Sequence, residues 1–113
     1  MEITDVSESD VLKIGFENDA VKSSLNQICE DDQLELIFKA LSSKTRRDIL
    51  REIQSGPKDV SDIAGILDMT EANISAQIKK LEEANLITCE YSSGLHGVRK
   101  VSQVKYKIIH MSF

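Results

Sequence analysis

Apolar positions repeat at helical spacing through most of this chain and switch to simple alternation near its two ends. The spacing predicts five helices. Asn18 or Asp19 can cap the first, over 19–30, with Val21, Leu25, Ile28 and Cys29 on one face. Leu34, Ile37, Phe38 and Leu41 stand at i, i+3, i+4 and i+7 and predict a second over 32–41. Ser42 or Ser43 caps the third, which buries Ile49, Leu50 and Ile53 and reaches Gln54 or Ser55. Gly56-Pro57 closes it, glycine taking a left-handed cap and proline blocking continuation. Asp59 or Ser61 opens a fourth, short helix with Ile63, Ala64, Ile66 and Leu67 inward. A tight turn follows at Asp68, Met69 and Thr70. Thr70 then caps a fifth helix in which Ile74, Ile78 and Leu81 recur at i, i+4 and i+7, ending near Asn85.

Alternation marks the strands. Leu12, Ile14 and Phe16 predict a short one near the start, weakened by Gly15. Ile87, Cys89 and Tyr91 predict another, and Val104, Tyr106 and Ile108 its return strand. Between them SerSerGlyLeuHisGly, 92–97, reads as a turn-rich tip in which Gly94 and Gly97 permit positive backbone angles. Met1 to Ser9 shows no periodicity and is expected to be loose.

Two short helices joined by a tight turn, then a hairpin, give a mainly α fold with a small β-hairpin: a winged helix-turn-helix. Its second helix, about 71–84, has the shape of a recognition helix for a DNA major groove. Asn73, Gln77 and Lys80 form its polar stripe, flanked by Ser75, Ala76 and Lys79, and the capping Thr70 is a further DNA-binding candidate. Asn73 and Gln77 carry paired donors and acceptors able to grip an adenine edge in two places, and Ser75 can serve either role. Lys79 and Lys80 can reach phosphates, which fix position rather than sequence. His96, Arg99 and Lys100 lie on the wing, 92–100, where backbone or minor-groove contact is expected. Lys44, Arg46 and Arg47 open a helix, where the macrodipole disfavours cations. Nearby phosphates would account for them, and so would surface ion pairs.

Charge at first argues against this reading, because the net formal charge is −5. It is unevenly spread. Residues 1–33 hold nine acids and two bases; residues 34–113 hold ten acids and twelve bases. An acidic extension, 1–33, therefore precedes a mildly basic winged helix, 34–113. No apolar run approaches the ~20 residues needed to cross a bilayer, and the acidic start lacks the features of a signal peptide. A cytoplasmic protein with no membrane partner is expected. Cys29, Cys89, His96 and His110 have no recognised metal spacing, so both cysteines are read as free thiols and no metal or cofactor is expected. Nucleophile triads, phosphate-cradling loops and paired carboxylates do not stand out, so an enzyme is not expected.

PheLysAlaLeuSerSerLysThrArgArgAspIleLeuArgGluIle, 38–53, resembles the opening signature of ArsR-like winged-helix transcriptional regulators. ValSerAspIleAla (60–64), IleSerAlaGlnIleLysLysLeu (74–81) and GluAlaAsnLeuIle (83–87) are similar to its continuation. The likeness covers roughly 34–91, and the segment 94–100 is similar to wings of archaeal members. It implies a sequence-specific regulator that binds duplex DNA as a homodimer. Three departures stand out. Members commonly have His where Gln77 stands. Metal-sensing members carry Cys-x-Cys in the helix here spanning 61–67, which has neither Cys nor His. Many end in a dimerising helix, whereas Phe113 closely follows the last strand here. Val21, Leu25 and Ile28 are then the expected dimer face. Two alternatives stay open: a winged helix used for protein–protein contact in transcription machinery, and a thiol- or ligand-responsive regulator.

Overall fold

A computed structural model describes residues 13–17, 25–28, 30–94 and 97–112. Four helices carry the core: α1 (Asp31–Leu41), α2 (Lys44–Ile53), α3 (Val60–Leu67) and α4 (Glu71–Glu83). Three of them start at residues the sequence singles out. Ser43 accepts a hydrogen bond from the Arg46 N–H, Asp59 from the Asp62 N–H, and Thr70 from the Asn73 N–H. Each satisfies one of the orphan donors of a first helical turn. Asp68 and Asn85 take the left-handed conformation that ends α3 and turns the chain out of α4. Gly56 does not: α2 ends on a right-handed Gln54, and Gly56 N–H donates to the Ile53 carbonyl.

The sheets are richer than a single hairpin. β4 (Ile87–Gly94) and β5 (Gly97–Val104) pair antiparallel from Ile87–Val104 to Gly94–Gly97, with Gly97 at φ 98°. This is the wing. Ser92 and Ser93 lie in β4 rather than in the turn, and residues 95–96 lie outside the described residues. A two-residue strand β3 (Lys58–Asp59) joins the outer edge of β5. The second sheet, in the order β2-β1-β6, joins β1 (Lys13–Glu17), β2 (Leu25–Ile28) and β6 (Ile108–Ser112).

That second sheet corrects two expectations. Residues 25–28 are extended, so the helix over 19–30 and the apolar face drawn through Val21, Leu25 and Ile28 do not stand. Val21 and Cys29 lie outside the described residues, as does the segment 1–9 expected to be loose. The return strand ends at Val104, and Ile108 opens a strand in another sheet, so Tyr106 belongs to neither. Strand pairing decides both cases, 25–28 with the nearby β1 and 108–112 with β1 about 90 residues away, and local periodicity does not register it.

The core lies where α1, α2, α3, α4 and the base of the wing meet. Ile49, Ile63, Ile74, Ile78 and Leu81 are wholly buried, with Ile37, Ala40 and Ile53 nearly so. Phe38 and Ile66 are exposed instead of inward. At about 100° per residue each sits at the margin of its apolar stripe, whose middle is taken by Ile37 and Ala40 in α1 and by Ile63 and Ala64 in α3.

Candidate nucleic-acid interface

α4 buries Ile74, Ile78 and Leu81 and turns Asn73, Ser75, Ala76, Lys79 and Lys80 to solvent. α3 flanks its start, and the wing stands beside it. The helix-turn-helix is cross-linked at its mouth by Ser61, whose hydroxyl donates to Glu71 Oε2 at 3.0 Å.

Gln77 differs from its neighbours. It is half-buried, because its position falls only about 60° from the buried Ile74. Its Oε1 accepts from Arg46 Nη1 at 2.7 Å, and its Nε2 donates to Asn73 Oδ1 at 3.1 Å. Asn73 Nδ2 in turn reaches Met69 Sδ at 3.9 Å. The same guanidinium donates to the carbonyls of Ala40 through Nε and Lys39 through Nη2, both at 2.8 Å. Arg47 Nη1 donates to the Leu41 carbonyl at 2.8 Å, and Lys44 pairs with Asp48. The cations at the start of α2 thus have intramolecular roles. Two of them cap the carbonyls left open at the end of α1.

The wing cations are also tied down. Arg99 forms an ion pair with Asp59, which is only 5% exposed and also caps α3. Lys100 Nζ donates to Glu82 Oε1 at 3.0 Å. Burial alone would lower the Lys100 ammonium, but the bond and charge of Glu82, with Cys89 and Tyr91, hold it above its ordinary value. Lys79 and Lys80 make no ion pair among the described residues. Val98 and Tyr91 stand exposed on the wing, and His96 lies outside the described residues.

The sequence reading missed Arg46 as the partner of Gln77, and Asp59 and Glu82 as partners of the wing. The acid partners could not be found by local spacing, since 40 residues separate Asp59 from Arg99 and 18 separate Glu82 from Lys100. Among the described residues no three His, Cys, Asp or Glu side chains gather as a metal site, and no helix is long and apolar enough to cross a membrane.

Comparison with known proteins agrees with this geometry. Residues 43–88 match the family model described as bacterial regulatory protein, arsR family. The arsenical resistance operon repressor of Bacillus subtilis is 41% identical over 54 residues, which cover 47% of this chain and about half (51%) of that protein. A crystal structure of an ArsR family transcriptional regulator superposes with a TM-score of 0.57 at 31% identity, covering 66% of this chain and 78% of that one. The homodimeric winged helix-turn-helix DNA-binding domain of a possible ArsR-family regulator from Mycobacterium bovis gives a TM-score of 0.59 at 25% identity, covering 65% of this chain and 64% of that one. The named organisms are bacterial and lend no support to the archaeal likeness of the wing. The matched residues 43–88 hold α2, α3, the turn at Asp68 and the α4 that buries Ile74, Ile78 and Leu81: the chain belongs to the ArsR family of winged helix-turn-helix transcription regulators, which are not enzymes.

Proposed function

We propose that this chain binds duplex DNA sequence-specifically as a homodimer, in the cytoplasm, with α4 in the major groove and the wing along the backbone. The observation that carries the reading is the solvent-facing stripe of α4. Asn73, Ser75, Ala76, Lys79 and Lys80 are uncovered on a helix whose opposite face is wholly buried. Such a helix is rigidly held yet free to enter a groove about 12 Å wide. Asn73, Gln77 and Ser75 are the proposed base readers, with Thr70 and Ala76 at the groove edge. Lys79 and Lys80 are the proposed phosphate contacts, and Arg99, Lys100 and His96 bring the wing to the backbone.

The homodimer rests on the dimeric relative from Mycobacterium bovis. One winged helix covers a single half-site and binds weakly alone. The assignment of 34–113 to the DNA-binding unit and of 1–33 to an extension is part of the same proposal. β1 and β2 of the extension form one sheet with β6 of that unit.

The test is the salt dependence of duplex binding for Lys79→Ala and Lys80→Ala. Each lost phosphate contact should reduce the slope of log K against log salt by about one unit, equally on all sequences. Slopes identical to wild type in both variants would remove α4 from the DNA surface.

A further inference from the structure

Arginine has five N–H donors and no acceptor. The atom that Arg46 Nη1 meets at 2.7 Å on Gln77 is therefore the amide oxygen, and the orientation of that amide is fixed. Its nitrogen then faces Asn73 Oδ1 at 3.1 Å, which fixes the second amide too. Asn73 Nδ2 is left toward Met69 Sδ, a weak acceptor, at 3.9 Å. One cation sets the polarity of the whole chain. Both amide oxygens already accept within the protein, while among the described residues Gln77 Nε2 keeps one N–H without a protein partner and Asn73 Nδ2 meets only the Met69 sulfur.

Arg46 itself is held. Its Nε and Nη2 bind the carbonyls of Ala40 and Lys39, each at 2.8 Å. The clamp cannot swing aside without uncapping α1. A free Gln or Asn grips adenine by donating to N7 and accepting from N6–H₂ at once. That mode needs each oxygen turned to the base, whereas here they are turned to Arg46 and to Gln77.

From this geometry we infer that Arg46, which reaches Gln77 of α4 from the start of α2, is a specificity-determining residue that biases Gln77 and Asn73 to act as hydrogen-bond donors. The recognition helix would then select acceptor edges, above all guanine with its N7 and O6, over the mixed edge of adenine. The inference rests on the DNA-binding reading proposed above.

The test is selection from random duplex DNA with the full chain and three variants. Gln77→Ala first locates the base pair this residue reads, as the one whose preference it loses. At that pair wild type should enrich guanine. Gln77→Glu keeps an acceptor for Arg46 but has no donor, so guanine enrichment should fall about tenfold relative to the rest of the site. Arg46→Met frees the amide to turn over, so adenine should rise about tenfold relative to guanine at the same pair. Melting temperatures report folding; if Arg46→Met does not fold, Gln77→Glu decides alone. Adenine enrichment by wild type, or unchanged base preference in the folded variants, overturns the inference while leaving DNA binding intact. Enrichment of no sequence by wild type overturns the DNA-binding reading and this inference with it.

Discussion

Cys89 lies at the base of the wing, with its Sγ 3.4 Å from Ser102 Oγ across the β4–β5 ladder. Burial pushes the thiol above its ordinary value, and only the Ser102 bond and Lys100 pull the other way, while Glu82 adds to the rise. The thiolate is the reactive form, so Cys89 is poorly suited to a redox switch. In a Cys29→Ser background it should label with a thiol reagent at pH 7.5 much more slowly in the native protein than in urea; equal rates would restore the thiol-responsive alternative. Arg99 and Lys100 invite a second residue-scale prediction. Arg99 neutralises the nearly buried Asp59, but its own side chain is 52% exposed, so solvent screens the pair. Arg99→Ala should cost about 1 kcal/mol in urea unfolding and change the DNA salt slope less than Lys79→Ala does. Lys100 is held above its ordinary value, so its link to Glu82 contributes fully below 10.5 and is lost only as pH rises beyond that. The wing should therefore keep its strap throughout the neutral range. None of these partners is legible in the sequence, because charge partners tens of residues apart meet only once the elements pack.

At the scale of elements the helix starts were legible and the helix faces only partly so. Ser43, Asp59 and Thr70 cap as their chemistry dictates. Thr70→Ala removes the cap at the groove-facing end of α4 and should cost about 1 kcal/mol of stability. Ile74→Ala opens a cavity under the same helix and should cost about 2–5 kcal/mol; chemical denaturation of both variants ranks them. Gln77 lies about 60° from the buried Ile74, so it sits half-buried at the inner edge of the stripe it shares with Asn73 and Lys80. α3 carries a further expectation. Its sequence, ValSerAspIleAlaGlyIleLeu, offers no thiolate, although the Bacillus subtilis relative is an arsenical resistance repressor. Arsenite or zinc should leave duplex affinity unchanged, as followed by fluorescence anisotropy. Stoichiometric release of DNA by either ion would contradict the account.

At the scale of the molecule the winged helix was legible, and so was β1 in the alternation of Ile14 and Phe16; the rest of its sheet was not. LeuAsnGlnIle, 25–28, has no alternation to mark a strand, yet it pairs with β1, and β1 pairs with β6 across the length of the chain. Such pairing stabilises a strand from outside its own sequence. The helices and the base of the wing gather their own cluster of buried apolar side chains, from Ile37 to Ile87. Deleting residues 1–28 should therefore leave a cooperatively folding winged helix, followed by circular dichroism. If the extension takes part in self-association, sedimentation will show the truncated form as a monomer; a truncated dimer would move the seam to the helices or the wing.

In the proposed complex α4 enters the major groove twice per dimer. Methylation interference on a selected duplex tests it most directly, because dimethyl sulfate marks guanine N7 in the major groove and adenine N3 in the minor groove. The account predicts two clusters of guanine interference about one helical turn, roughly 34 Å, apart, each weakened in Gln77→Ala. Interference confined to adenine N3, or none at any guanine, would contradict it.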